Sequence, residues 1–169
     1  MKKNSGFTLL ELVVTLAMIS IVVAIAIPSM TTFTQNDRMT TNINTLIGHL
    51  AYARSEAVKR SVQVAVCASN DASTCSGGWG DGWIVYIDAD NNNSFDAGEE
   101  VVRAQQALEG NNTLTATGIG TQITYDNRGF VNAGSVGSLQ LCDSRSGPHG
   151  KTVRITTTGR VRLETDTSC

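Results

Sequence analysis

Aromatic side chains supply only 5% of the 169 residues and charged ones 17%, and the charges nearly cancel at a formal −2. With a pI of about 5.6 this is not a generally basic protein, so affinity for an anionic partner has to come from a local cluster. Histidine occurs twice, as His49 and His149, and neither has an evident nucleophile partner. There is no phosphate-cradling P-loop, no cysteine that stands out as free, and no base-reading motif. Catalysis is therefore not expected, and no cofactor is called for. The four cysteines fit no Cys-x-x-Cys zinc pattern.

What is present sets a different class. Apolar residues reach 41%, enough for a core, and glycine, threonine, serine, asparagine and valine recur through the second half. That mixture favours strands and turns over a helical bundle. The length fits one domain plus an extension. Cys67, Cys75, Cys142 and Cys169 form an even set, which reads as disulfides made in an oxidising compartment. Of three possible connectivities, Cys67–Cys75 with Cys142–Cys169 is expected. The first closes a short loop and the second ties down the C-terminus.

The extension is N-terminal. Lys2 and Lys3 precede an apolar run from Phe7 to Ile27, broken by a single charge, Glu11. About 20 apolar residues span a bilayer as a helix. The lysines should stay cytoplasmic and send the bulk of the chain to the other side, which agrees with oxidised cysteines. The run is longer than a secretory signal core, and "AIAIPSM" is a poor cleavage site. A carboxylate inside such a segment is costly, so Glu11 calls for a partner.

Beyond Pro28 the helical period persists. Ile43, Leu46, Ile47, Leu50, Ala53, Ala57 and Val58 form an apolar stripe. One helix is expected from about Thr8 to Arg60, with Arg54, Lys59 and Arg60 on a solvated face. From Ser61 the period becomes two. "SVQVAVCA", "GWIVYIDAD", "EEVVRAQQ", "TQITYDNRGFVN", "GSLQLCD", "KTVRITTTG" and "RVRLE" read as strands separated by turns such as "DNRG" and "NAGS". The fold class is α+β: helix 7–60, with 7–27 as its membrane part, packed on a β-rich head at 61–169. The head is an antiparallel sheet or pair of sheets. Its middle is acidic and its C-terminal part basic.

The segment "GFTLLELVV" closely resembles the signal of type IV prepilins and pseudopilins. The resemblance implies a leader at 1–6, cut by a prepilin peptidase between Gly6 and Phe7, and methylation of the new Phe7 amine. It implies that Glu11 neutralises the N-terminus of a neighbouring subunit during assembly with other major and minor pilins. The subunit would sit in the bacterial inner membrane, head in the periplasm, before joining a cell-surface pilus. Pro28 matches the proline that kinks or locally melts this helix in many pilins. "GWIVYIDADNNNSFDAGEEVVR", the paired cysteines and the closing "GRVR" resemble the FimT/GspH group, closest to FimT. In that branch a GRxR motif is associated with DNA binding during natural transformation, here Gly159, Arg160, Val161 and Arg162.

In a strand Arg160 and Arg162 share one face, and paired guanidiniums grip phosphate well. If residues 157–159 form the turn, Thr156 pairs with Arg160 and Arg154 faces Arg162. A two-residue turn would break that alignment, and the sequence leaves both open. The loop "DSRSGPHGK" adds Arg145, His149 and Lys151, and is expected to be mobile. Double-stranded DNA, bound through phosphate without sequence preference, is the expected partner of this set. A structural minor pilin or secretion pseudopilin, with the arginines turned to acids or to a neighbour, is the alternative. Separately, Asp88, Asp90, Asn92, Ser94, Asp96 and Glu99 fall at ligand positions of an EF-hand-like loop, a calcium candidate. Asn93 stands where glycine is expected, and the resemblance implies a plain hairpin turn, so no metal is assigned.

Overall fold

The computed structural model describes residues 6–169. The leader expected at 1–6 lies outside the described residues except for Gly6. The chain divides into two compact units, the first ending at Asp37 and the second running Arg38–Cys169.

Helix α1 spans Leu9–Arg60. Thr8 caps it: the Glu11 N–H donates to Thr8 Oγ1 at 3.2 Å. Thr8 and Glu11 therefore stand three apart as in a capping box, and an acidic residue in the first turn also suits the helix dipole. In the first unit every side chain from Gly6 to Thr34 is exposed, including Leu9, Leu10 and Ile25. So apolar a surface needs lipid or neighbouring chains around it. The helix continues through Pro28 without a break, so the local melting implied by the resemblance is not found.

In the second unit Met39, Ile43, Leu46, Leu50, Ala53 and Ala57 are buried at helical spacing. Val58, expected on this stripe, is instead exposed. Ser61, at φ 57°, ends the helix. Eight strands follow: β1 Gln63–Ala68, β2 Trp83–Asp88, β3 Val101–Gln105, β4 Thr113–Thr117, β5 Gln122–Tyr125, β6 Gly137–Cys142, β7 Gly150–Ile155 and β8 Val161–Thr167. They form two antiparallel four-stranded sheets, ordered β3-β2-β1-β5 and β4-β6-β7-β8. Seven strands lie within the expected segments or overlap them. Strand β4, "TLTAT", was not expected.

One core joins the helix to both sheets. Val64, Val66, Trp83 and Val85 of the first sheet and Leu139, Leu141, Val153 and Ile155 of the second pack with Leu46 and Leu50. The first sheet is buried on its other face too, where Ala65, Cys67, Ile84 and Tyr86 pack with Phe95. In the second sheet the face away from the core carries Thr115, Ser138, Gln140, Arg154 and Arg162. Both expected disulfides are present, Cys67–Cys75 and Cys142–Cys169.

Candidate nucleic-acid interface

The β7–β8 hairpin sets the geometry of the arginine cluster. The Gly159 N–H donates to Thr156 O at 2.8 Å, and the Thr156 N–H donates to Arg160 O at 3.2 Å. Residues 157–159 are therefore the turn, with Gly159 in the left-handed region at φ 71°. That is the three-residue hairpin in which glycine closes the loop. The register then pairs Ile155 with Val161 and Arg154 with Arg162. Alternation puts Arg154, Arg160 and Arg162 on the polar outer face of the sheet, and all three are exposed.

Like charges directly opposite repel, and one carboxylate partly relieves them. Arg154 Nε donates to Glu164 Oε1 at 3.1 Å. That hydrogen bond, with the charges of Arg154 and Arg162, holds the Glu164 carboxyl below its ordinary range. Arg160 and Arg162 have no side-chain hydrogen bond or ion pair among the described residues. Three guanidiniums against one carboxylate leave a local excess of positive charge.

The other two expected contributors lie elsewhere. Lys151 is three residues from Arg154 and so faces the helix, where Nζ donates to Thr40 Oγ1 at 2.7 Å. Arg145 lies toward the opposite end of the hairpin. Its Nε donates to Asp143 Oδ2 at 2.8 Å and its backbone N–H to Asp143 Oδ1 at 2.9 Å. Burial pushes the Asp143 carboxyl up, but the Arg145 contacts outweigh it and leave the group below its ordinary value. The loop expected to be mobile is tied to the C-terminus, because the Cys169 N–H donates to Gly147 O at 3.1 Å.

The hairpin tip is held by residues that the sequence did not single out for this role. Arg54, expected on a solvated face, donates from Nε to Gly129 O at 3.0 Å and from Nη2 to Thr158 O at 3.1 Å. The Val131 N–H donates to Thr157 O at 3.1 Å. One helix arginine thus joins the "DNRG" turn to the "TTTG" turn. Arg60 is also engaged, with Glu56 and Glu100 each at 2.7 Å. Only the pattern of turn residues hinted at this, since contacts across about a hundred residues leave no local signal.

A family model for the Type II transport protein GspH matches residues 42–159, well over half of the chain. The chain belongs to the GspH family. A model of the prokaryotic N-terminal methylation motif matches residues 1–27 of this GspH-family chain, as a type IV minor pilin or pseudopilin requires. Two crystal forms of the type IV minor pilin FimU from Pseudomonas aeruginosa (strain PAO1) share the fold. The first has a TM-score of 0.61 and 20% identity over 79% of this chain and 93% of FimU. The second has 0.60 and 20% over 76% and 94%. A search of curated proteins found no match.

The acidic loop of this GspH-family head is ordered around its own carboxylates. Asp88 is fully buried and accepts the N–H groups of Asn92 and Asn93 at 3.1 and 3.0 Å. Glu99 accepts those of Ala89 and Asp96, both at 3.0 Å. Asn92 Nδ2 donates to Asp90 and Asp96. Asn93 takes φ 60° in place of the expected glycine. Oxygens of Asp88, Asp90 and Glu99 lie within 4.8 Å of one another. Burial, with the charge of Glu99, raises the Asp88 carboxyl above its ordinary value despite the two backbone donors.

Proposed function

We propose that this subunit binds DNA through Arg154, Arg160 and Arg162, held by Gly159 at the tip of the β7–β8 hairpin, and serves DNA uptake in natural transformation. The observation that carries the reading is the register. Arg154 and Arg162 stand opposite each other, and Arg160 follows on the same face with no acid of its own among the described residues. Such an arrangement is electrostatically costly unless an anion sits on it. Phosphate contacts alone carry no sequence information, so duplexes of any sequence are bound alike. Cleavage after Gly6 by a prepilin peptidase, methylation of Phe7 and pairing of Glu11 with a neighbour's N-terminus bring the head into a filament. Intact-mass analysis that found Met1 retained in the native host would reject that processing.

The test uses the full chain in detergent micelles with a short labelled duplex. Affinity should be micromolar or weaker, with a log–log salt slope of roughly −2 to −3 for three arginines. Arg160→Gln with Arg162→Gln should remove most binding and flatten the slope by about two. Unchanged binding by the double variant overturns the reading. A second reading has its own support: β8 is an edge strand, where charge prevents unwanted strand pairing, and the matching family is named for type II transport. In that reading the chain is a structural pseudopilin or minor pilin, and the same double variant would aggregate or assemble poorly while wild type bound no DNA.

A further inference from the structure

The "DNRG" turn stands against the arginine hairpin glycine to glycine. A Cβ on Gly159 would overlap the carbonyl oxygen of Gly129, and a Cβ on Gly129 would crowd Arg54 and Val58 at 3.1 Å. Arg54 bonds to both turns. The backbone of the "DNRG" turn is therefore fixed against the tip of the β7–β8 hairpin. Phe130 is 47% exposed, the one aromatic of the second unit so exposed. Its neighbour Val131 is buried and bridges Tyr125. Arg128 places its guanidinium 5.7 Å from the Phe130 ring centroid, and Asp126 holds it there at 3.1 Å.

We propose that Phe130 and Arg128 form a second arm of the same surface, which takes an unpaired base on the Phe130 ring while the arginines hold the flanking phosphates. This rests on the phosphate reading of Arg154, Arg160 and Arg162. Every base offers a π-face, so stacking is tolerant of sequence but requires bases free of a duplex. The head therefore prefers single-stranded DNA, or the frayed end of a duplex, to an intact duplex. Aromatic platforms beside cationic grooves bind single strands in this way, with arginine adding to the stack.

The test is anisotropy of the full chain in detergent micelles with labelled oligo-dT and with a duplex of equal length. Wild type should bind oligo-dT the more tightly. Phe130→Ala should weaken oligo-dT binding by about five- to tenfold, from the loss of one stacked base, and alter duplex binding by less than about twofold. Phe130→Tyr keeps the ring and should stay near wild type, which separates lost stacking from lost folding. The salt slope should be the same in all three, because no cation is removed. If Phe130→Ala binds oligo-dT as wild type does, or loses both probes equally, the second arm is overturned while the clamp stands. If wild type binds neither probe, the clamp fails and this inference fails with it.

Discussion

The Gly159 backbone packs against the Gly129 carbonyl, and a methyl group at 159 has nowhere to go. Gly159 also adopts φ 71°, where an L side chain is strained by roughly 1–2 kcal/mol. Gly159→Ala should therefore destabilise the head by at least that amount, and should weaken DNA binding without touching a charge. Urea unfolding followed alongside DNA titration checks both. A variant with normal stability and normal binding would show that the two turns can part freely.

Arg54 spans the same two turns from the helix. Its two hydrogen bonds carry a full charge on the donor, and each such bond contributes about 1.5–3 kcal/mol when sheltered. Arg54 is only partly buried, so Arg54→Ala should cost about 1–3 kcal/mol. Arg54→Lys should not restore it, since an ammonium cannot fork to two carbonyls as a guanidinium does. Both variants are read from the midpoint of urea unfolding.

His49 gives the head a pH dependence. Its Nδ1 accepts the Trp83 Nε1–H at 3.0 Å, which requires a neutral ring on that side. Burial, and then the charge of Arg103, lower its pKa from 6.5. The unfolded chain therefore binds the proton first as pH falls. This contribution is complete above pH 6.5 and declines below it, until the folded ring is protonated as well. Wild-type stability should rise with pH up to that value. In His49→Gln, which keeps an acceptor, the slope in that window should largely vanish, as a thermal-melt series across pH would show.

The Cys142–Cys169 bond closes 27 residues between β6 and the end of β8. In the chain-entropy model that constraint contributes roughly 3.5 kcal/mol. Replacing both cysteines by serine should lower stability by that order and free the end of the strand that carries Arg162. DNA affinity should fall with it while the charges stay the same. A melt and a titration on the same sample separate this from simple unfolding.

Much of this was legible in the chain itself, where the signal is local. Alternation in "SVQVAVCA" marked β1, the apolar run of "GWIVYIDAD" marked β2 as the more buried strand, and Gly159 ahead of Arg160 fitted the three-residue turn that the hairpin uses. Strand β4 escaped because "TLTAT" offers only Leu114 and Ala116 to a core, among threonines that suit a loop equally well. The odd spacing of Lys151 and Arg154 assigns them to opposite faces of β7, so nearness in sequence does not make them one site. Arg54 was unreadable for another reason: its partners Gly129 and Thr158 lie 75 and 104 residues away, and off-stripe arginines on a helix are usually solvated.

Glu164 offers the sharpest discrimination between a clamp and a structural ion pair. It holds Arg154 and lies in the field of Arg162, so it competes with any phosphate for both. If the arginines exist to bind DNA, Glu164→Gln should improve binding, because Arg154 is released and the patch gains a unit of positive charge. The log–log salt slope should move to the steep end of the range expected for three arginines, because Arg154 then engages phosphate fully. The cross-strand pair is solvent-exposed, and such pairs add little to stability, so the melting temperature should hardly move. If the arginines exist to hold the edge strand, the same substitution should leave DNA binding unchanged and disturb folding or assembly through unrelieved repulsion between Arg154 and Arg162. Titration with a labelled duplex at low and moderate salt, beside a thermal melt, separates the two. Weaker DNA binding by Glu164→Gln at full stability would mean that Glu164 orders Arg154 for the phosphate rather than competing with it.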